Sequence, residues 1–98
     1  MKTLAHKLIS VASGVPSIAT GDIVICNVDL AMIHDSGGPR RVKPILERLN
    51  RSVWDKDKVV VVTDHYVPAT NAETQAIQAL TKEWVREQDI EKFYDEQG

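Results

Sequence analysis

The amino-acid sequence predicts an α/β fold of three layers, with a parallel sheet core and flanking helices. Three observations carry this. Apolar residues recur at helical spacing in three separate stretches. Short runs of β-branched and apolar residues lie between and after them. One of those runs, Val59-Val60-Val61-Val62, has no polar alternation at all, which marks a central strand covered on both faces, as in parallel sheets.

Each element has its own local signals. Thr3 can cap a first helix in which Leu4, Leu8, Val11 and Ala12 share a face, and Gly14 is placed to end it. Residues 14–21 are rich in Gly, Pro, Ser and Thr and read as a loop. From Ile23 to Ile33 a strand is expected, because Val24, Cys26, Val28, Leu30 and Met32 alternate on one face. Cys26 is then a small core hydrophobe. After the break His34-Asp35-Ser36-Gly37-Gly38-Pro39, the residues Val42, Ile45, Leu46 and Leu49 mark a second amphipathic helix. Pro44 either kinks it or confines its regular part to the stretch from Lys43 onward. Trp54 is expected to cover its edge.

Asp55 to Lys58 form a charged turn before the valine run. Thr70 and Glu73 make a capping box for the longest helix, whose buried stripe is Ala76, Ile77, Leu80, Trp84 and Val85. Lys92 to Asp95 read as a third, short strand. The order is helix, strand, helix, strand, helix, strand, which implies parallel pairing.

Ninety-eight residues bound the chain at one domain, so 1–98 reads as a single α/β segment. Folding a chain of this mass hides about 65% of its open surface, enough for one modest core. The longest strongly apolar runs, Ile23 to Cys26 and Val59 to Val62, fall far short of the roughly 20 residues of a spanning helix, so no membrane segment is expected. A net charge of −2 is too close to neutral to indicate a nucleic-acid or membrane-surface partner. The start Met1-Lys2-Thr3-Leu4 lacks a signal-peptide core, and a lone cysteine rules out an internal disulfide. A cytoplasmic protein is the expectation.

Chemistry concentrates at two strand ends. His34-Asp35 follows the first strand and Asp64-His65 the second. Ligands bind beyond the carboxyl ends of strands in open parallel sheets, so neighbouring strands would project both pairs over one edge. Each pair precedes a helix start, whose free N–H groups favour an anion. The combination describes a pocket for an acidic small molecule, with imidazoles able to move protons. Gly37 and Gly38 allow close backbone approach beside Ser36. Arg40 and Arg41 sit against the helix dipole; this points either to an anionic ligand or partner, or simply to a solvated face. The four His and Asp side chains are of types that bind divalent metals, but nothing in their spacing requires an ion, and no metal is assigned.

These motifs closely resemble the amino-terminal part of the aconitase family. The residues that carry the resemblance are Gly21-Asp22-Ile23-Val24, then Asp29 to Asp35 with Gly38-Pro39, then Val53-Trp54-Asp55, and Lys58 to Pro68 with its Asp64-His65-Tyr66-Val67-Pro68. The nearest branch is similar to the large subunit of 3-isopropylmalate dehydratase and its relatives acting on homoaconitate, dimethylmalate or similar acids. The resemblance implies a hydro-lyase that removes and re-adds water on a hydroxylated di- or tricarboxylic acid, using a [4Fe–4S] cluster. It implies that His65 handles the proton on the departing hydroxyl, with Asp64 orienting it. It also implies that His34 contacts substrate, and that Asp35 and Ser36 belong to the active-site loop beside it.

Cys26 matches none of the family's cluster cysteines, so the cluster is expected in the full-length enzyme and not on ligands from this chain. The serine base and most substrate-gripping arginines are likewise expected from the rest of the large subunit or from a small swivelling subunit. The segment 1–98 is therefore expected to be part of a larger large-subunit domain and inactive alone. The other reading these residues allow is a free-standing, non-catalytic module that binds a small acid or docks on a partner.

Overall fold

A computed structural model describes residues 2–96. The order of elements is α1 (Leu4–Ser13), β1 (Ala31–His34), α2 (Pro39–Arg48), β2 (Val59–Val62), α3 (Ala72–Glu87) and β3 (Phe93–Tyr94), with a 3₁₀ turn at Lys56–Lys58 leading into β2. The sheet order is β1-β2-β3 and both pairings are parallel. The expected α/β class and parallel pairing hold, and the valine run is the central strand.

Helix α1 begins with a reciprocal cap: the Thr3 hydroxyl accepts from the His6 N–H, and the His6 ring accepts from the Thr3 N–H. It ends at Gly14, whose φ of 73° is the left-handed conformation that costs least without a Cβ. In α2, Pro39 occupies the first turn, where its missing N–H costs nothing, and the helix runs unbroken through the exposed Pro44. Helix α3 starts one residue later than expected. Asn71 and Thr74, not Thr70 and Glu73, form its capping box, the Asn71 side-chain oxygen Oδ1 accepting from the Thr74 N–H at 2.9 Å.

Alternation along the strands sorts Ile33, Val59, Val61 and Phe93 toward the helices. There they meet Val42 and Leu46 of α2, and Trp84, Val85 and Ile90 of α3 and the turn after it, to make the core. Val61 and Trp84 are almost fully enclosed. Helices α2 and α3, which connect successive parallel strands, both pack on the core side of the sheet and against each other. Lys43 ties them together, reaching Glu47 at 2.9 Å and Glu87 at 2.7 Å. In α3, Ile77, Trp84 and Val85 are buried as expected, Leu80 is half-buried, and Thr81 replaces the exposed Ala76 in the buried stripe. Helix α1 stays outside this arrangement and buries none of its residues.

The long first strand is corrected. Only residues 31–34 pair; residues 23–30 form no ladder, and Ile23 and Ile25 are almost wholly exposed. Alternation describes a face, but a strand also needs a partner to accept its N–H groups. Here the segment runs beside α1, with the Asn27 N–H donating to the Ala12 carbonyl at 2.9 Å. Cys26 is consequently exposed and not a core hydrophobe, its sulfur 4.0 Å from the Ile9 carbonyl. Trp54 is also corrected: at 91% exposure it covers nothing, and the Lys58 ammonium lies 5.5 Å from its ring centroid. No helix among the described residues is long and apolar enough to cross a membrane.

Candidate functional site

Parallel pairing of β1 with β2 brings the two strand-end motifs together. His34 lies opposite Val62 in the register, and the Asp35 N–H continues the ladder to the Val62 carbonyl at 3.1 Å. The chain leaving β2 therefore passes directly beside the end of β1, with Asp64 facing His34.

Asp64 is the hub. Its carboxylate accepts from His34 Nδ1 at 3.0 and 3.1 Å and from His65 Nδ1 at 2.7 Å. A carboxylate can only accept, so both rings present a protonated Nδ1 to it, and in the neutral imidazole Nε2 then keeps its lone pair. The two hydrogen bonds, that of His65 first and then that of His34, hold the Asp64 carboxyl below its ordinary 3.8. All three side chains are partly open to water, at 38, 44 and 49% exposure for His34, Asp64 and His65.

Asp35 is different: it is fully enclosed, with 0% of its side chain exposed. One oxygen accepts from the His65 backbone N–H at 3.2 Å. The other accepts from the Tyr66 N–H at 3.2 Å and from the Gln78 amide at 2.9 Å. A buried carboxylate stabilised by three N–H donors fixes the backbone that presents His65. The same carboxylate lies 3.5 Å from His65 Nδ1. Ser36 sits in the turn after β1 and lines a shallow cleft of about 280 Å³ with Met32, Ile33, His34, Gly37 and Gly38. The cleft does not include Asp64 or His65. Gly38 closes the turn by donating its N–H to the His34 carbonyl at 2.8 Å.

Gln78 was not singled out by sequence reasoning. Its amide donates to Asp35 and, at 3.1 Å, to the Tyr66 carbonyl, so one side chain on α3 ties both motif loops together. The available signal was a polar residue three positions before Thr81 and seven before Val85, on the buried flank of the helix. Arg40 is half-buried and Arg41 exposed, and neither joins an ion pair among the described residues. The site thus holds two carboxylates and two imidazoles, with no Lys or Arg paired to either acid among those residues.

No family model matches the chain. Individual relatives do. The chain is 47% identical over 94 residues to 3-isopropylmalate dehydratase large subunit 1 of Methanopyrus kandleri, covering 96% of this chain and 22% of that protein. It is 38% identical over 95 residues to the 3-isopropylmalate dehydratase large subunit of Herpetosiphon aurantiacus, covering 96% and 23%. A Methanothermobacter thermautotrophicus protein named "Probable methanogen homoaconitase large subunit" is 33% identical over 95 residues, covering 93% and 22%. The chain spans less than a quarter of the length of these relatives. Their names are those of the family that the strand-end motifs resemble.

Proposed function

We propose that this chain is an amino-terminal part of the large subunit of a hydro-lyase of the aconitase and 3-isopropylmalate dehydratase family. Its substrate is a hydroxylated di- or tricarboxylic acid of the 3-isopropylmalate kind. The observation that carries this reading is the 47% identity over 94 residues to a dehydratase large subunit. The surface supports the idea of a part. The chain exposes 7267 Å² where a compact domain of its 10.9 kDa exposes about 5,600 Å². Its radius of gyration is 16.9 Å where about 12.6 Å is usual for this length. The partners that would cover this surface are the rest of the large subunit and a small swivelling subunit, in the cytoplasm, with no nucleic acid or membrane involved.

The resemblance implies a [4Fe–4S] cluster in the full enzyme. The residues of this chain do not fit its ligation. Such clusters are held by several thiolates, and Cys26, the single cysteine, is exposed beside α1.

What this chain contributes is proton handling and orientation. The Asp64 carboxylate takes the Nδ1 proton of His65 as a hydrogen bond and so keeps the His65 Nε2 available to exchange a proton with the departing or entering hydroxyl. It orients His34 in the same way, leaving that Nε2 to contact substrate. Asp35 holds the His65 backbone from beneath, and Ser36 borders the cleft beside His34. The acid groups of a substrate need cations, and the resemblance implies that most of these come from outside this chain. Arginines from outside the chain fill that need, which is why the chain alone is inactive.

The test is turnover of 3-isopropylmalate by the complete large and small subunits. His65→Ala is expected to lower kcat about 10²–10⁴-fold with KM little changed, the range for loss of a general acid–base group. Undiminished turnover would remove the proton role from His65.

A further inference from the structure

We propose that His34, Asp64 and His65 form a binding site for a divalent first-row metal ion, with zinc the best fit. The three residues each offer a ligand atom, and these atoms all lie within 4.8 Å of one another. Two are imidazole nitrogens and one is a carboxylate oxygen, the donor set of metal sites that keep open positions. The existing distances from Asp64, 3.0 Å to His34 and 2.7 Å to His65, are already near the ligand edges of a small coordination polyhedron. Bonds of about 2.0–2.1 Å in a tetrahedron give edges of about 3.3 Å, so the shorter Asp64 edge must open by about 0.6 Å and the widest separation in the cluster, within 4.8 Å, must close by up to about 1.5 Å, rotations open to these partly exposed side chains.

Charge favours the ion as well. Among the described residues neither Asp35 nor Asp64 is paired with Lys or Arg. A divalent cation at the three-residue cluster would meet the Asp64 carboxylate without displacing a cationic side chain. Asp35, fixed by the His65 and Tyr66 backbone N–H groups and by Gln78, holds in place the backbone that presents His65 to the cluster. Metal binding requires each ring to move its proton from Nδ1 to Nε2, a change of tautomer that leaves the ring neutral. Magnesium and calcium prefer all-oxygen shells and are poor fits to two imidazoles.

The inference does not rest on the hydro-lyase reading. Zinc chloride titrated into the chain carrying ¹⁵N-labelled histidines reads it directly. His6 is a built-in control, since it is engaged with Thr3 at the start of α1. The expected result is saturable binding of one zinc per chain, with the His34 and His65 ring signals moving and those of His6 staying. Calorimetry should show His34→Ala, His65→Ala and Asp64→Ala each weakening the site by at least about tenfold, with His6→Ala unaltered and magnesium giving no shift. Zinc that moves His6 in step with the other two, fails to saturate, or binds the three variants as tightly as the parent overturns the proposal. Turnover plays no part in these readouts, so this site and the proton role of His65 can fail independently.

Discussion

His34 and His65 stand edge to face, with ring centroids 5.1 Å apart and planes at 71°, and the Asp64 carboxylate accepts from both. Each ring comes from the end of a different strand. Their meeting is a direct product of the β1–β2 register, which sets His34 beside Val62.

Asp64 makes this arrangement pH-dependent. Its carboxyl is held below 3.8 by the two imidazole hydrogen bonds, so the folded protein binds that proton more weakly than the unfolded chain does. The resulting stabilisation is present above the ordinary Asp value and is lost as pH falls through the lower folded value. Asp64→Asn should therefore flatten the acid limb of the stability curve. Denaturant midpoints measured from pH 7 down to pH 3, identical in slope for parent and variant, would contradict this.

Gln78 should matter more than its place on a half-exposed helix implies. Gln78→Leu removes donors to the buried Asp35 and to the Tyr66 carbonyl, and leaving buried acceptors short of partners costs about 1–3 kcal/mol. Gln78→Glu should be worse, because it sets a second carboxylate against Asp35. Urea titration of the two variants tests the ranking.

Trp84 is the centre of the core, and its indole N–H finds no hydrogen-bond partner among the described residues. Trp84→Ala is expected to cost about 3–5 kcal/mol through the cavity it leaves. Trp84→Phe should cost clearly less, since it keeps most of the ring volume and removes the unpaired donor. Equal losses in thermal unfolding would contradict this account.

Gly38 has no room for a side chain. A Cβ there would run into the His34 carbonyl oxygen and crowd the Ile33 side chain. Gly38→Ala should thus displace the turn after β1 and disturb His34, whereas Gly37→Ala, facing open space, should be tolerated. Comparing the histidine ring signals of the two variants separates these outcomes.

Much of the fold was legible in local pattern. The Thr3 cap, the Gly14 stop, the valine run and the apolar stripe of α3 each encode an element through short-range sterics and periodicity, and the elements form where they are expected. Residues 23–30 carry an equally clear alternation and yet form no strand. Pattern reports which side chains could share a face, and pairing is decided by whether another strand stands alongside. The exposure of Cys26 and Trp54 has the same origin, because burial depends on what lies opposite and not on the residue's own character.

The α/β class, the two His/Asp motifs and their position at strand ends can be read from local pattern, since strand and helix periods are local properties of the chain. Which of those residues meet depends on how the strands pair. The tertiary structure made Asp64 the shared acceptor, enclosed Asp35, and recruited Gln78 from α3 to stabilise it. Those outcomes follow from strand order and register, which bring residues distant along the chain within hydrogen-bond reach, and no local pattern encodes that proximity.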